Sequence, residues 1–161
     1  MAKPPRDRHA APSRTYFVTA KTWEGRALFQ SSRMAQLFLD TLFHYRAQGN
    51  YQLHEFILMR NHFHLLLTPA PGVTLERAVQ LIKGGFSHRA GREISPNMEI
   101  WQRGYVDHHI RDADDYARHC EYIRTNPVRD GLASSPEEYP YGSAQGSFQR
   151  DPPPQWLKPV R

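Results

Sequence analysis

Apolar residues recur along this chain with two different periods, and the changes of period mark out its elements. Residues 15–22 (TYFVTAKT) are rich in β-branched and aromatic side chains, which predicts a strand closed by a turn at Glu24 and Gly25. Met34, Leu37, Phe38, Leu42 and Tyr45 then return at three- and four-residue spacing, one apolar face of a helix capped by Ser31 or Ser32, running to about Ala47 and stopped by Gly49-Asn50. Residues 51–59 and 62–68 are apolar, strand-like runs with only Arg60 and Asn61 between them, which predicts a tight antiparallel hairpin. Thr74 opens a second helix with Glu76 in its first turn and Leu75, Val79, Leu81 and Ile82 as apolar positions; Gly84 and Gly85 are expected to weaken or bend it. Residues 99–110 read as a strand or strand-loop. Asp112 caps a third helix, expected to end near Asn126 because Pro127 disfavours helical geometry in the residue before it.

The element order is therefore βαββαβα. It predicts an α+β fold of the ferredoxin-like class: a small antiparallel sheet with helices packed on one face. At 161 residues the chain supports one core. The expected folded unit is residues 14–148, between a basic, proline-rich tail at 1–13 and a proline-rich tail at 149–161.

Composition narrows the classes. Hydrophobic residues at 39% and aromatics at 12% exclude wholesale disorder, and no apolar run is long enough for a membrane span. The first residues, MAKPPRDRHAAPSR, lack the apolar segment of a secretory signal, so a cytoplasmic location is expected. A single cysteine, Cys120, excludes an intramolecular disulfide and any multi-cysteine zinc site, and reads as a small core residue. The net charge of +5 suits a polyanionic partner such as nucleic acid, although many other proteins are as basic.

Candidate chemistry starts in the segment Asn61-His62-Phe63-His64-Leu65-Leu66-Leu67-Thr68. Strand alternation sends Phe63, Leu65 and Leu67 to one face and both histidines to the other, where two imidazoles form a compact platform for a divalent ion or simply line a polar sheet face. The third helix offers further groups. At 100° per residue, Asp115, Arg118, His119 and Asn126 fall within about 60° of Tyr122, whereas Tyr116, Cys120 and Ile123 lie roughly 100 to 160° away and form the expected buried face. Asn126 can supply a side-chain oxygen to a metal, or act as an ordinary helix-ending residue before proline. A phenol with an ordinary pKa of about 10 attacks a phosphodiester only when a cation or base favours its phenolate. Such attack conserves the phosphodiester bond energy in a phosphotyrosine and permits rejoining, which distinguishes it from hydrolysis.

Three segments in order, MRNHFHLLLTP, IWQRGYVDHHIRD and YIRTNPVRDGL, with a later EYPYGSA at residues 138–144, resemble the REP-associated tyrosine transposases, single-tyrosine HUH transposases of bacterial insertion sequences. The resemblance spans about residues 14–148. It implies that His62 and His64 are the HUH metal ligands, that Asn126 is the third ligand and that Tyr122 is the nucleophile. It further implies Mg2+ or Mn2+ as cofactor, and a hairpin-forming single-stranded DNA partner cut through a 5′-phosphotyrosine link at REP-like sequences in the bacterial nucleoid. The protein would act as a monomer or homodimer, with no membrane partner.

Lys83, Arg89, Arg103, Arg111, Arg118 and Arg124 are candidate phosphate contacts, and each is equally ordinary surface charge. Phe86, Trp101 and Tyr105 lie among them and suit base stacking, with a core position the alternative for Trp101. His108 and His109 are adjacent, point to opposite faces of a strand and cannot chelate together; they are left unassigned. Two other functions remain open on the residues alone: a non-catalytic single-stranded nucleic-acid-binding module, and a metal-dependent phosphoesterase using activated water.

Overall fold

A computed structural model describes residues 13–157. The expected tail at residues 1–12 lies outside them. The elements follow the predicted order: β1 (Tyr16–Lys21), α1 (Ser32–Ala47), β2 (Tyr51–Leu58), β3 (His62–Pro69), α2 (Leu75–Glu93), β4 (Val106–His109) and α3 (Ala113–Arg129). The four strands form one antiparallel sheet in the order β2-β3-β1-β4. This places β3 and β1 inside and the four-residue β4 at an edge.

Strand pairing decides which residues share a face. Val18 and Ala20 of β1 join Phe63, Leu65 and Leu67 of β3 in a large core with Phe38 of α1 and Phe86 of α2. The opposite face carries Ile57, Leu66 and, from α3, Ile123. The α+β architecture is present, with one difference in layering: α1 and α2 cover one face and α3 crosses the other. Only helices on both sides can bury β3, whose residues 63–68 are all buried.

In β2 the pairing slips at a bulge between Leu53 and Glu55, with His54 the extra residue. The bulge reverses the alternation, so that Tyr51, Leu53, Phe56 and Leu58 all reach the same core. It also turns the buried Glu55 to the α3 side, where Arg124 and Arg150 contact its Oε1 at 2.9 and 2.8 Å and the Ser143 hydroxyl donates to Oε2.

Residues 149–157 are not the free tail that their prolines suggest. The Asp151 N–H donates to Leu53 O at 2.8 Å, its carboxylate accepts from Leu53 N–H and from Arg46, and the Trp156 indole N–H reaches Thr15 Oγ1 at 3.0 Å. The two Asp151–Leu53 bonds and the Tyr141 carbonyl on Leu58 N–H occupy the open edge of β2. Proline forbids regular hydrogen bonding but not docking of the residues between prolines.

Two further expectations change. α2 continues through Gly84 and Gly85, and an added Cβ at Gly85 would lie 2.6 Å from the Tyr45 ring of α1, so this glycine permits close helix approach instead of bending the helix. α3 runs past Pro127 to Arg129, its end stabilised by the Asp130 and Leu132 N–H groups on the Asn126 and Pro127 carbonyls. Proline costs one helical bond in a final turn that is already short of partners.

The glycine pair supplies a test. Gly84 has open space around its Cβ position, so Gly84→Ala should raise stability by about 0.5–1 kcal/mol in urea denaturation. Gly85→Ala must displace Tyr45 and should be less stable than the Gly84 variant by about 1–3 kcal/mol.

Candidate metal and nucleophile site

His62 and His64 project from the α3 side of β3 at successive same-face positions, with ring centroids 4.9 Å apart. The neighbouring β1 residues on that face are Lys21, paired with His62, and Thr19, paired with His64. His64 Nδ1 is hydrogen-bonded to Thr19 Oγ1 at 2.7 Å, and its Nε2 is buried with no hydrogen-bond partner among the described residues. His62 Nδ1 donates to Asn61 Oδ1 at 2.7 Å, which leaves the His62 Nε2 lone pair free. Each imidazole is thus held through Nδ1 with Nε2 left over, the usual arrangement of a histidine that binds metal. A buried, unpaired nitrogen is costly unless something occupies its lone pair, so the donor set fits a divalent ion.

Electrostatics keeps both rings neutral. Burial, followed by the charges of His62 and Arg129, pushes His64 down to about 3. Burial also lowers His62, against the pull of Asp130 and with a small push from Lys21. Asp130, which the sequence reading did not single out, lines a cleft of about 350 Å3 together with Asn61, His62 and Leu132. A cleft of about 1030 Å3, lined by Tyr51, Thr68 and Trp156 at the far end of β3, shares no residue with the histidine pair.

α3 brings the tyrosine to this place. The Tyr122 ring lies 5.3 Å from His64 and 5.9 Å edge-on from Phe17, and is 41% exposed. Phe17 also stacks on His64 at 5.1 Å, so one phenyl ring fixes the spacing of the two. The Arg129 guanidinium sits 4.4 Å from the Tyr122 ring centre and donates to its backbone carbonyl. Asn126, one turn after Tyr122, is 6% exposed.

The helix phase separated Tyr122 from the apolar contacts of α3 correctly, but burial does not follow the apolar side alone. Asp115 and Asn126 are as buried as Ile123, while Tyr116 and Cys120 are only half-buried. Asp115 accepts from His108 Nε2 at 2.8 Å and from Arg111 N–H at 2.9 Å, and its backbone carbonyl accepts from His119 Nδ1 at 2.7 Å. A polar cluster on the sheet face draws this side of the helix inward; the pairing of His108 on β4 with Asp115 on α3, seven residues on, follows neither a strand nor a helix period.

The basic candidates divide by what they touch. Arg103, Arg111 and Arg118 are exposed, and Arg89 is half-exposed. Lys83 Nζ donates to the Gln102 and Gly104 carbonyls, and Arg124 pairs with Glu55. Phe86 is fully buried, and Trp101 packs against Phe29, Phe63 and Phe86, so these two rings build the core and are not free for base stacking.

Comparison with known proteins bears on the family and the fold. The family model described as "Transposase IS200 like" matches residues 15–126. The chain is 23% identical over 145 residues to the REP-associated tyrosine transposase of Escherichia coli (strain K12), covering 86% of this chain and 82% of that protein. A Haemophilus influenzae protein provisionally given the same designation is 31% identical over 104 residues, 58% of this chain and 57% of that one. The fold superposes on a solved structure of a REP-associated tyrosine transposase bound to a REP hairpin with a TM-score of 0.71 at 22% identity, covering 92% of this chain and 89% of that chain.

The buried histidine implies a definite pH response. Above pH 6.5 neutral His64 is no burden in either state; below it the unfolded chain takes up a proton that the folded chain refuses until about pH 3. Stability should therefore fall as pH drops through this window, with His64 contributing a slope of up to about 1.4 kcal/mol per pH unit. Denaturation of wild type and His64→Gln at pH 7, 5 and 4 should show a shallower acid loss in the variant.

Proposed function

The chain belongs to the IS200-like transposase family, and from that premise we propose that it cuts and rejoins single-stranded DNA at hairpin-forming, REP-like sequences through a covalent 5′-phosphotyrosine on Tyr122. The observation that carries the reading is the convergence of an exposed tyrosine, 5.3 Å ring to ring from His64, on two imidazoles that both keep an unpaired Nε2. A non-catalytic binding module needs no such arrangement of neutral histidines around a phenol.

His62 and His64 would hold a divalent ion, Mg2+ or Mn2+, with Asn126 as a third ligand. When bound, such an ion polarises a phosphoryl oxygen and offsets the negative charge that builds up on the phosphate. The residues of the chain supply the rest. The Tyr122 Oη attacks phosphorus in line, forms the Tyr–O–P bond and breaks the P–O3′ bond; the phenolic proton ends on the departing 3′-oxygen. Arg129, against the Tyr122 ring, stabilises negative charge on the phenolate both when it attacks and when it leaves. Attack by a 3′-hydroxyl on the phosphotyrosine reverses the sequence and restores a phosphodiester. Phe17 holds the nucleophile at its distance from His64, Asn61 Oδ1 accepts the His62 Nδ1 proton, and the Thr19 hydroxyl orients the His64 ring through its Nδ1.

Exposed Arg103, Arg111 and Arg118, with half-exposed Arg89, contact DNA phosphates in this reading and give affinity that falls with salt. Lys83 and Arg124 are engaged within the fold and contribute less. No helix of the described residues is long and apolar enough to cross a membrane.

Labelled single-stranded hairpin DNA from the flanks of the gene, incubated with wild type or Tyr122→Phe and with manganese or EDTA, tests the proposal on a denaturing gel. A metal-dependent protein–DNA adduct is expected from wild type alone. Cleavage without an adduct would replace the tyrosine mechanism with hydrolysis. The orientation of His64 by Thr19 makes a separate prediction: Thr19→Val should weaken manganese binding by roughly tenfold or more in calorimetry while preserving the fold.

A further inference from the structure

β4 and the first turns of α3 meet at a cluster that the transposition chemistry above does not use. On the α3 side of the sheet, His108 pairs across from Phe17 of β1, while its neighbour His109 pairs with Tyr16 and points the other way. Asp115 and His119 lie one turn apart on α3 and come up against it. One nitrogen from each imidazole and one Asp115 oxygen all fall within 4.8 Å of one another. The two rings are nearly parallel, 4.8 Å apart with 17° between their planes.

We propose that His108, Asp115 and His119 form a second metal site, separate from the His62–His64 pair, that binds a divalent transition ion such as Zn2+ or Co2+ and ties the start of α3 to the edge strand β4.

The donor set selects the ion. Two imidazoles and one carboxylate suit borderline ions, zinc foremost, which take such ligands at about 2.0–2.2 Å; magnesium and calcium prefer all-oxygen shells. Tetrahedral coordination spaces ligand atoms about 3.3–3.6 Å apart, so the set closes by an inward shift of the three side chains together with rotation of at least one imidazole, because the lone pairs of two nearly parallel rings lie in separate planes; a fourth position is left for water. Asp115 is already oriented for this. The residue is 5% exposed, receives the Arg111 N–H, and is held as the carboxylate: burial opposes ionisation, but that hydrogen bond and the flanking His108 and His119 outweigh it. His119 Nδ1 donates to the Asp115 carbonyl at 2.7 Å and lies 3.2 Å from Asp115 Oδ1, with Phe17 against the ring at 4.8 Å; the ring binds an ion by turning to present one nitrogen toward Asp115 and His108. The proton on His108 Nε2, shared with Asp115 Oδ2 at 2.8 Å, passes to solvent when the metal takes its place. Arg118, 3.6 Å from Asp115 Oδ1 and largely exposed, must swing outward.

β4 is an edge strand of four residues; Ile123, in the later turns of α3, is the helix's fully buried apolar contact in the smaller core, while Tyr116 and Cys120 are only partly buried and the first turns are held by the bonds of Asp115. An ion bridging His108 to Asp115 and His119 would hold the helix at its other end, and with it the approach of Tyr122 to His64. Phe17 touches His119, Tyr122 and His64, so the two sites share one aromatic wall.

Equilibrium dialysis of the EDTA-stripped chain against micromolar zinc tests this, with cobalt absorption as a second readout. His62→Ala/His64→Ala should retain one tightly bound ion per chain and show a zinc-dependent rise in Tm of roughly 5–10 °C at a hundredfold excess over Kd. His108→Phe and His119→Ala, each made in that background and checked by circular dichroism, should both lose the ion and the shift. No zinc bound by the His62→Ala/His64→Ala chain, or equal binding with and without His119, would overturn the proposal. Because the readout is taken without the His62–His64 pair, it is independent of whether DNA is cut.

Discussion

β3 buries Phe63, Leu65 and Leu67 under α1 and α2 on one side of the sheet and His64 and Leu66 under α3 on the other, and this double burial is the constraint from which the rest of the structure follows. An interior strand with both faces covered has little freedom to slip, since a one-residue shift would drive Phe63 into the polar layer and His64 into the aromatic core. The register with β1 then puts Thr19 against His64 and Lys21 against His62. The same dry surroundings that stabilise the strand keep the His64 imidazole neutral and leave its Nε2 without a partner. Stability and ligand-binding capacity here come from one act of burial with opposite signs: the apolar face gains by it, and the imidazole is held in a state that a metal would relieve.

α3 answers that constraint with a mixed surface. Ile123 packs into the smaller core, while Asp115 and Asn126 turn inward as well and Tyr122 stays at the rim. A helix with an all-apolar contact face would bind the sheet more firmly but would leave no polar groups near His64. The Asp115 hydrogen bonds to Arg111 and His108 make the inward polar side tolerable, because a carboxylate so partnered does not need water. Phe17 completes the layer as a spacer, touching His64, His119 and Tyr122 without adding a competing donor.

The sheet's edges are handled differently. β2 is covered along its length by residues 141–151, which donate and accept at Leu53, Phe56 and Leu58, whereas β4 is short and largely exposed. Three exposed basic residues, Arg103, Arg111 and Arg118, flank β4 and the start of α3. The protected edge serves the fold, and the open one lies beside α3, the helix that carries Tyr122.

Local sequence determined the elements and their order because the forces involved act over a few residues: alternation in β1 and β3, three- and four-residue spacing in α1, and caps at Ser31, Thr74 and Asp112 that each accept from a backbone N–H three residues on. The same period-two logic put His62 and His64 on one side, and the 100° step put Tyr122 and Asn126 near one another. What short-range rules do not contain is which surface meets which. The placement of α3 across the second face, the use of Trp101 and Phe86 as core, the docking of residues 149–157 along β2, and the meeting of His108 with Asp115 and His119 all depend on contacts between distant segments. Those contacts are selected by the summed burial of the whole sheet, and only the assembled chain decides them.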